Sequence, residues 1–242
     1  MADHTAIEWT DATFNAWVGC TKVSPACDRC YAEGWAKRTG HPELWAGERR
    51  RTTPGYWRQP DKWNRAAAAA GVRKRVFCCS LADVFDNQVP PLWRADLWQL
   101  IRDTPSLDWQ ILTKRPQNIR KMLPLDWGGG YPNVWMGTTA ENQEEAERRI
   151  PHLMAIPAAV WFLSIEPTLG PIILPVWGQY EVLGVDWVIC GGESGPGWRD
   201  MNPDWARALR DQCRSQGVPF FFKQMAGKRP IPDDLLIREF PA

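Results

Sequence analysis

Runs of mostly apolar residues recur along the chain and are separated by polar segments. Most of these runs are close to continuously apolar, which is typical of parallel strands that are covered on both faces. They predict a strand just before Cys20 and further strands at residues 75–80, 108–113, 133–138, 160–165, 186–191 and 219–224.

Segments with a helical pattern of apolar positions lie between most of these strands. The last segment is marked at both ends, because Asn202 can cap it, Pro203 suits its first turn and Gly217 follows its end. Residues 40–60 are rich in Pro and Gly and predict a long irregular loop, which in a compact domain is usually functional. The predicted helices are residues 28–38, 61–70, 92–102, 117–122, 140–150 and 203–216.

The alternation of strands and helices predicts right-handed βαβ units and an α/β fold. Roughly seven parallel strands make an incomplete or open (βα) barrel, and 242 residues suit such a barrel as one domain. The domain spans residues 1–242 and carries a basic, aromatic insertion at about residues 35–75. A flat, doubly wound sheet is the alternative architecture.

Composition places the chain among globular proteins, with 44% hydrophobic and 24% charged residues. No apolar run approaches the roughly 18 residues of a transmembrane helix, so we expect no membrane contact. The N-terminus lacks the basic and apolar segments of a secretory signal. The seven cysteines are odd in number and unevenly placed, which argues against a disulfide framework and indicates a reducing, cytoplasmic location.

The net charge of +1 is unevenly spread along the chain. Between Trp35 and Arg75, eleven Lys or Arg and three acids give +8, which leaves −7 for the remainder. Basic residues interleaved with aromatic ones are typical of surfaces that bind nucleic acid. Alternatively, this stretch is a solvated loop whose tryptophans cover the barrel. The predicted base-stacking residues are Trp45, Tyr56 and Trp57, and the predicted phosphate contacts are Arg49, Arg50 and Arg51.

Three cysteines follow the first predicted strand at the spacing C-x6-C-x2-C: Cys20, Cys27 and Cys30. No fourth cysteine lies close by in the sequence. A structural zinc site closes its shell with four protein ligands, and a 4Fe-4S cluster usually takes four thiolates. Three thiolates therefore indicate a cluster with one iron open to another ligand. The alternative is a non-catalytic Cys3His zinc site completed by His41.

Polar residues follow most of the predicted strands. In a parallel barrel all these strand ends lie on one face, where active sites are built, and the cysteine loop opens onto the same face. Read singly, the patterns from Ser80 to Asp83 and from Thr138 to Glu141 match capping boxes, and a Gly-Gly pair can be a tight turn. The predicted cofactor-binding residues are Ser80, Asp83, Lys114, Thr138, Glu141, Ser164, Glu166, Gly191, Gly192 and Glu193.

The chain resembles the phage-associated three-cysteine-motif proteins of the radical S-adenosylmethionine superfamily, at residues 19–33, 80–85, 111–116, 164–167, 191–195 and 221–224. The resemblance implies a cluster on the three cysteines with S-adenosyl-L-methionine on the open iron, and it leaves the substrate open. Lys114 then suits the methionyl carboxylate, and Glu141 or Glu166 suits the ribose hydroxyls. The commonest superfamily motif is C-x3-C-x2-C with an aromatic residue before the last cysteine. In this chain Arg29 precedes the last cysteine and Tyr31 follows it. The superfamily's adenine contact is therefore not assigned to a residue of this chain.

A weaker resemblance concerns Cys78, Cys79 and Ser80 at the end of the second predicted strand. Spore photoproduct lyase, a radical enzyme that repairs DNA, has a hydrogen-donating cysteine two residues before a serine near its cofactor. Because side chains alternate along a strand, Cys78 is expected on the Ser80 side, inside the barrel, as a catalytic candidate. Alternatively, Cys78 and Cys79 are small buried hydrophobic residues without reactivity.

Three functions from different classes follow. The first is a radical enzyme that repairs or modifies nucleic acid, DNA rather than RNA. The second is a radical enzyme acting on a small molecule or peptide, and the third is the zinc protein. Either enzyme needs an electron-donor protein, and a partner protein that delivers the substrate fits both.

Overall fold

Seven parallel strands form the central sheet of the computed structural model, which describes residues 5–177 and 182–242. In chain order the strands are β1 (Ala12–Phe14), β2 (Trp17–Val18), β3 (Arg50–Arg51), β4 (Lys74–Cys78), β5 (Leu107–Thr113), β6 (Val134–Thr139), β7 (Val160–Ile165), β8 (Val176–Trp177), β9 (Val182–Leu183), β10 (Trp187–Gly191) and β11 (Phe220–Gln224). The order across the sheet is β1-β4-β5-β6-β7-β10-β11, which follows the chain. Two antiparallel pairs, β2–β3 and β8–β9, stand apart from it.

Helices connect most neighbouring strands of the sheet, as the apolar pattern predicted. They are α1 (Tyr31–Arg38), α2 (Pro54–Trp57), α3 (Gln59–Ala70), α4 (Pro91–Asp103), α5 (Ile119–Met122), α6 (Gln143–Met154) and α7 (Pro203–Ser215). The ends of α7 are as predicted, because the Asn202 side chain accepts a hydrogen bond from the Asp204 amide and Pro203 begins the helix. Within the described residues, no helix combines the length and apolar character needed to span a bilayer.

The sheet is curled, and one indole demonstrates the curl. Trp9, just before β1, lies 4.6 Å from Phe77 of β4 and 6.3 Å from Trp187 of β10, measured between ring centroids. These two strands are four places apart, which in a flat sheet is about 19 Å at roughly 4.8 Å per strand. Only a sheet that curves around Trp9 brings both rings to it. This confirms the predicted open barrel of seven parallel strands over the flat alternative.

A glycine makes room for the aromatic filling of the barrel. A Cβ placed on Gly137 of β6 would lie 2.4–2.5 Å from ring carbons of Phe162 on neighbouring β7. The missing side chain therefore lets the Phe162 ring lie across the sheet's inner face, where it packs with Trp9 and Trp187. These rings fill part of the barrel interior, and Trp9 also lines the cavity at the strand ends.

The segment predicted as an irregular loop is more regular than expected. Residues 40–60 contain a 3-10 turn at Pro42–Trp45, β3, α2 and the start of α3. β3 pairs with β2 directly before the cysteine loop, with Trp17 opposite Arg51. The predicted helix at residues 28–38 begins only at Tyr31, because Pro25–Cys27 forms a separate 3-10 turn and Cys30 is extended.

Candidate functional site

A cavity of about 390 Å³ opens at the carboxyl ends of the parallel strands. This volume is in the range of small-molecule sites, roughly 300–1,000 Å³. The cysteine loop forms one wall, residues at or just after the ends of β4, β5, β6, β7, β10 and β11 form most of the rest, and Trp9 and Trp45 also contribute. A shallower hollow of about 720 Å³ lies at the opposite end of the barrel, beside Trp63 and Phe240, and contains none of the cysteines. The three predicted cluster ligands therefore lie at the smaller cavity, which is the candidate functional site.

Cys20, Cys27 and Cys30 all line this cavity as free, half-buried thiols. Burial, reinforced by the nearby Asp83 carboxylate, raises the pKa of the Cys20 thiol to about 11 against the opposing charge of Arg115. Within residues 5–177 and 182–242, no three His, Cys, Asp or Glu side chains are already grouped as a metal site. His41 is absent from the cavity lining, and its Nδ1 lies 3.0 Å from Glu43 Oε1. The predicted Cys3His arrangement is therefore not assembled.

Arg115 fixes the start of the cysteine loop. Its Nη2 donates to the carbonyl and hydroxyl oxygens of Thr21 at 2.9 and 3.0 Å. Its Nη1 donates to Asp83 Oδ2 at 3.0 Å and lies 3.5 Å from the Cys20 sulfur. Asp83 also accepts hydrogen bonds from the Thr113 hydroxyl at 2.7 Å and the Lys114 amide at 3.1 Å. The Asp83 carboxylate thus holds the loop's anchor, and its oxygens are largely used.

Glu141 fixes the middle of the same loop from the opposite side. Its Oε1 accepts a hydrogen bond from the Ala26 amide at 3.0 Å, and its Oε2 pairs with Arg149 Nη1 at 2.9 Å. Both side chains are fully buried, and Arg149 also donates to the Thr139 carbonyl at 2.8 Å. Glu141 is not among the cavity-lining residues. Glu141 therefore lies behind the cysteine loop and not on the cavity wall, where the sequence placed it.

A third attachment involves Glu193 and Arg199. Arg199 donates to Glu193 Oε1 at 3.1 Å through Nε and to the Pro25 carbonyl at 2.8 Å through Nη2. The Tyr31 hydroxyl also donates to the Ser80 carbonyl at 2.7 Å, which ties the loop's last turn to the end of β4. Residues after four different strands therefore hold the cysteine loop over the cavity.

The predicted cofactor residues divide into two groups. Ser80, Asp83, Lys114, Ser164, Glu166, Gly192 and Glu193 line the cavity, whereas Thr138, Glu141 and Gly191 do not. Thr138 faces away, because β6 continues to Thr139 and side chains alternate; the Thr138 hydroxyl donates to the Thr113 carbonyl at 2.9 Å. Thr139 lines the cavity in its place, and its buried hydroxyl has no hydrogen-bond partner in the described part of the chain.

Glu166 is the centre of a polar patch on the cavity wall. Its Oε1 pairs with Lys223 Nζ at 3.1 Å, and its Oε2 accepts from the Ser164 hydroxyl at 3.4 Å. A Cβ on Gly191 would lie 3.0 Å from Glu166 Oε1, and one on Gly192 would lie 2.3 Å from the Ala226 amide nitrogen. The two glycines therefore permit close packing at this turn, which is the alternative that the sequence left open.

Cys78 does not lie where the strand alternation placed it. Its backbone pairs in register with Phe14 and Ile111, and its side chain is fully buried in the larger hydrophobic core cluster. Trp9, which lies inside the barrel, belongs to a separate cluster. Cys79 has φ +63° and breaks the alternation, so that Cys79, rather than Cys78, lines the cavity with Ser80. The expectation that Cys78 shares the Ser80 side is wrong. Burial also raises the pKa of the Cys78 thiol well above its ordinary value.

Two of the three predicted phosphate contacts are engaged within the protein. Arg49 is 3% exposed at its side chain, donates from Nε to Asp86 at 2.9 Å and contacts the Glu48 carbonyl at 2.8 Å. Arg51 pairs with Asp96 at 2.7 Å and lies over the Trp57 ring at 4.3 Å. Arg50 is exposed. Arg49 therefore supports the fold beside the cysteine loop and is not free to bind a phosphate.

Two of the three predicted base-stacking residues are packed on the barrel. Tyr56 and Trp57 lie in α2, with ring centroids 5.1 and 5.7 Å from Phe14, and the Tyr56 hydroxyl donates to the Thr13 carbonyl at 3.2 Å. The expectation that they lie in an unpacked loop is wrong, because the aromatic face of α2 covers β1. Trp45 does line the cavity, partly buried against Leu44 and its neighbours.

Sequence reasoning missed Arg115, Arg149 and Arg199: Arg115 and Arg199 donate directly to the loop backbone, and Arg149 holds the loop through Glu141. Two of these lie a short distance after predicted site residues in the sequence: Arg149 follows Glu141, and Arg199 follows Glu193. Arg115 directly follows Lys114, which the sequence assigned to the cofactor, so the residue that holds the loop lies next to a predicted site residue. Cys79 and Lys228 are the described non-glycine residues with positive φ, and both line the cavity.

A family model described as "Protein of unknown function (DUF5131)" matches residues 4–232. The chain belongs to this family. Among solved structures it is similar to a doubly substituted spore photoproduct lyase with bound AdoMet and dinucleoside spore photoproduct, at 10% identity and a TM-score of 0.47. The match covers 84% of this chain and 61% of the lyase, so the chain spans about three fifths of that structure. No curated protein matches the chain.

Proposed function

We propose that the protein is a radical S-adenosylmethionine enzyme with a 4Fe-4S cluster on Cys20, Cys27 and Cys30. One observation carries the proposal: a single loop presents three free, half-buried thiols to a cavity at the carboxyl ends of seven parallel strands. Thiolates are the ligands that iron–sulfur clusters take, and three of them fit a cluster with one open iron. When bound and reduced, this cluster supplies the electron for reductive cleavage of S-adenosyl-L-methionine.

The cavity residues suit the polar groups of that cofactor. Lys114 lines the cavity and forms no ion pair within the described residues, so its ammonium is available for the methionyl carboxylate. Glu166 and the unpartnered hydroxyl of Thr139 suit the ribose hydroxyls as acceptor and donor. Thr139 thereby replaces Thr138 and Glu141 in the proposed binding set.

We propose a nucleic acid as substrate, bound at the cavity mouth and not at the insertion. Among described aromatic residues, Tyr31 and Trp198 are the ones with large exposure, at 54% and 38%. Tyr31 lines the cavity, and Trp198 packs against Gly227, the neighbour of the cavity-lining Lys228. Exposed rings beside cations suit an unpaired base and its phosphates.

Anaerobic reconstitution with iron and sulfide, followed by reduction in the presence of S-adenosyl-L-methionine, tests the enzyme proposal. We expect release of methionine and 5′-deoxyadenosine by the parent, and a large loss of this release in Lys114→Ala. Lys121→Ala, in α5, is the matched control and should cleave at the parent rate. A parent that takes up the cluster but does not cleave the cofactor contradicts the proposal.

A further inference from the structure

Arg115 is a buried cation directly beneath the cysteine loop. Its side chain is 6% exposed, and its Nη1 lies 3.5 Å from the sulfur of Cys20, within the range of a weak hydrogen bond to sulfur. Within the described residues, neither the Cys27 sulfur nor the Cys30 sulfur accepts a hydrogen bond from an arginine, so Cys20 is set apart from the other two thiols.

The position of Arg115 is fixed by its surroundings. Its own amide donates to the Thr113 hydroxyl at 2.9 Å, and this hydroxyl donates to Asp83 Oδ1 at 2.7 Å. Asp83 Oδ2 accepts from Arg115 Nη1 at 3.0 Å, and Asp86 lies 3.9 Å from Nη2. A guanidinium is not deprotonated in proteins, so the positive charge beside Cys20 is permanent.

We propose that Arg115 raises the reduction potential of the cluster by donating to the Cys20 sulfur. The proposal rests on the proposed function. In the step concerned, one electron passes from an external low-potential reductant to the cluster, and no proton moves at Arg115. The reduced cluster carries one more negative charge than the oxidised cluster. A cation and hydrogen-bond donor at a ligand sulfur therefore stabilises the reduced form.

Arg199 provides a control that distinguishes an effect of Arg115 on the cluster potential from simple support of the loop. It also holds the loop, by donating to the Pro25 carbonyl at 2.8 Å, and it also pairs with a carboxylate, Glu193. In the part of the chain that the structure describes, Arg199 makes no hydrogen bond to a cysteine sulfur. Arg199→Gln thus weakens the loop's attachment and leaves the donor at Cys20 in place, which makes it the matched control.

The test is a potentiometric titration of the reconstituted parent, Arg115→Gln, Arg115→Lys and Arg199→Gln, followed by the paramagnetic signal of the reduced cluster. We expect a more negative potential in Arg115→Gln, a smaller negative shift in Arg115→Lys, and the parent potential in Arg199→Gln. If Arg115→Gln does not take up iron, Arg115→Lys decides.

Two results overturn the inference alone: equal potentials in the parent and the Arg115 variants, or an equal shift in Arg199→Gln. These results leave the proposed function standing, because a cluster is then present in every protein measured. Failure of the parent to take up an iron–sulfur cluster overturns the proposed function, and the inference with it.

Discussion

Glu141 accepts a hydrogen bond at 3.0 Å from the amide of Ala26, although the two residues are 115 positions apart in the chain. This bond joins the end of β6 to the centre of the cysteine loop. Because Glu141 and its partner Arg149 are fully buried, the attachment depends on a charge pair that water does not reach.

Glu141→Ala should destabilise the protein by about 3–5 kcal/mol, since removing one partner of a buried pair leaves the other charge uncompensated. Glu141→Gln keeps an oxygen for the Ala26 amide and should lose less. Denaturant unfolding of both variants measures the difference. Equal unfolding free energies for Glu141→Ala and the exposed control Glu147→Ala would show that the pair is not important.

The Glu141 carboxylate also makes the free energy of unfolding depend on pH. Burial acts to raise the pKa of Glu141, but the Arg149 charge and the Ala26 amide outweigh it and lower the pKa. A lowered pKa gives stability that is present above the unfolded-state value, about 4.3, and is lost as pH falls through the folded value. We expect the unfolding free energy to fall less steeply below about pH 4 in Glu141→Gln than in the parent. Unfolding curves between pH 3 and 7 measure the slope.

Gly137→Ala tests the aromatic packing in the barrel. The new methyl group would lie 2.4–2.5 Å from the Phe162 ring, so the ring must move and the protein should lose about 1–3 kcal/mol. Gly129→Ala is the control, because nothing lies within 4 Å of a Cβ at that position. Adding Phe162→Leu to Gly137→Ala should recover part of the loss, and absence of recovery would place the strain elsewhere.

The strands and the barrel class were predictable because buried parallel strands leave a local record in apolar runs. The site was predictable only where side-chain direction follows a simple alternation. Cys79, at φ +63°, breaks the alternation, and Thr139 extends β6 by one residue beyond the predicted end. Each shift of one residue exchanges the side chain that faces the cavity.

The roles of Tyr56 and Arg49 could not be read from the sequence for a different reason. Each is decided by a partner far along the chain: Phe14 for Tyr56 and Asp86 for Arg49. Composition reports that a segment is basic and aromatic, but it does not report which of its charges and rings are already paired. Only the assembled fold leaves Trp198 exposed beside Gly227 while it packs Tyr56 against Phe14.

Substitutions at the mouth test the location of nucleic-acid binding. Trp198→Ala should weaken binding of a labelled single-stranded oligonucleotide by about 1–3 kcal/mol, the usual contribution of a stacked base. Lys228→Gln should weaken binding and lower the salt slope by roughly one unit. Arg50→Gln, an exposed cation of the insertion outside the cavity lining, should bind as the parent does.

Fluorescence anisotropy with DNA and RNA oligonucleotides over a range of salt concentrations measures these effects. An effect confined to Arg50→Gln would restore the insertion as the binding surface. Equal binding by all three variants and the parent would favour a small molecule or a peptide as substrate.

The most direct test of the account is the iron content of cysteine variants after anaerobic reconstitution. We predict about four irons per chain and a broad absorption band in the parent. Alanine at Cys20, Cys27 or Cys30 should abolish both, whereas Cys190→Ala and Cys213→Ala, which alter buried thiols of the core, should retain them. A parent that binds zinc and no iron, or a cluster that requires Cys190, would contradict the account.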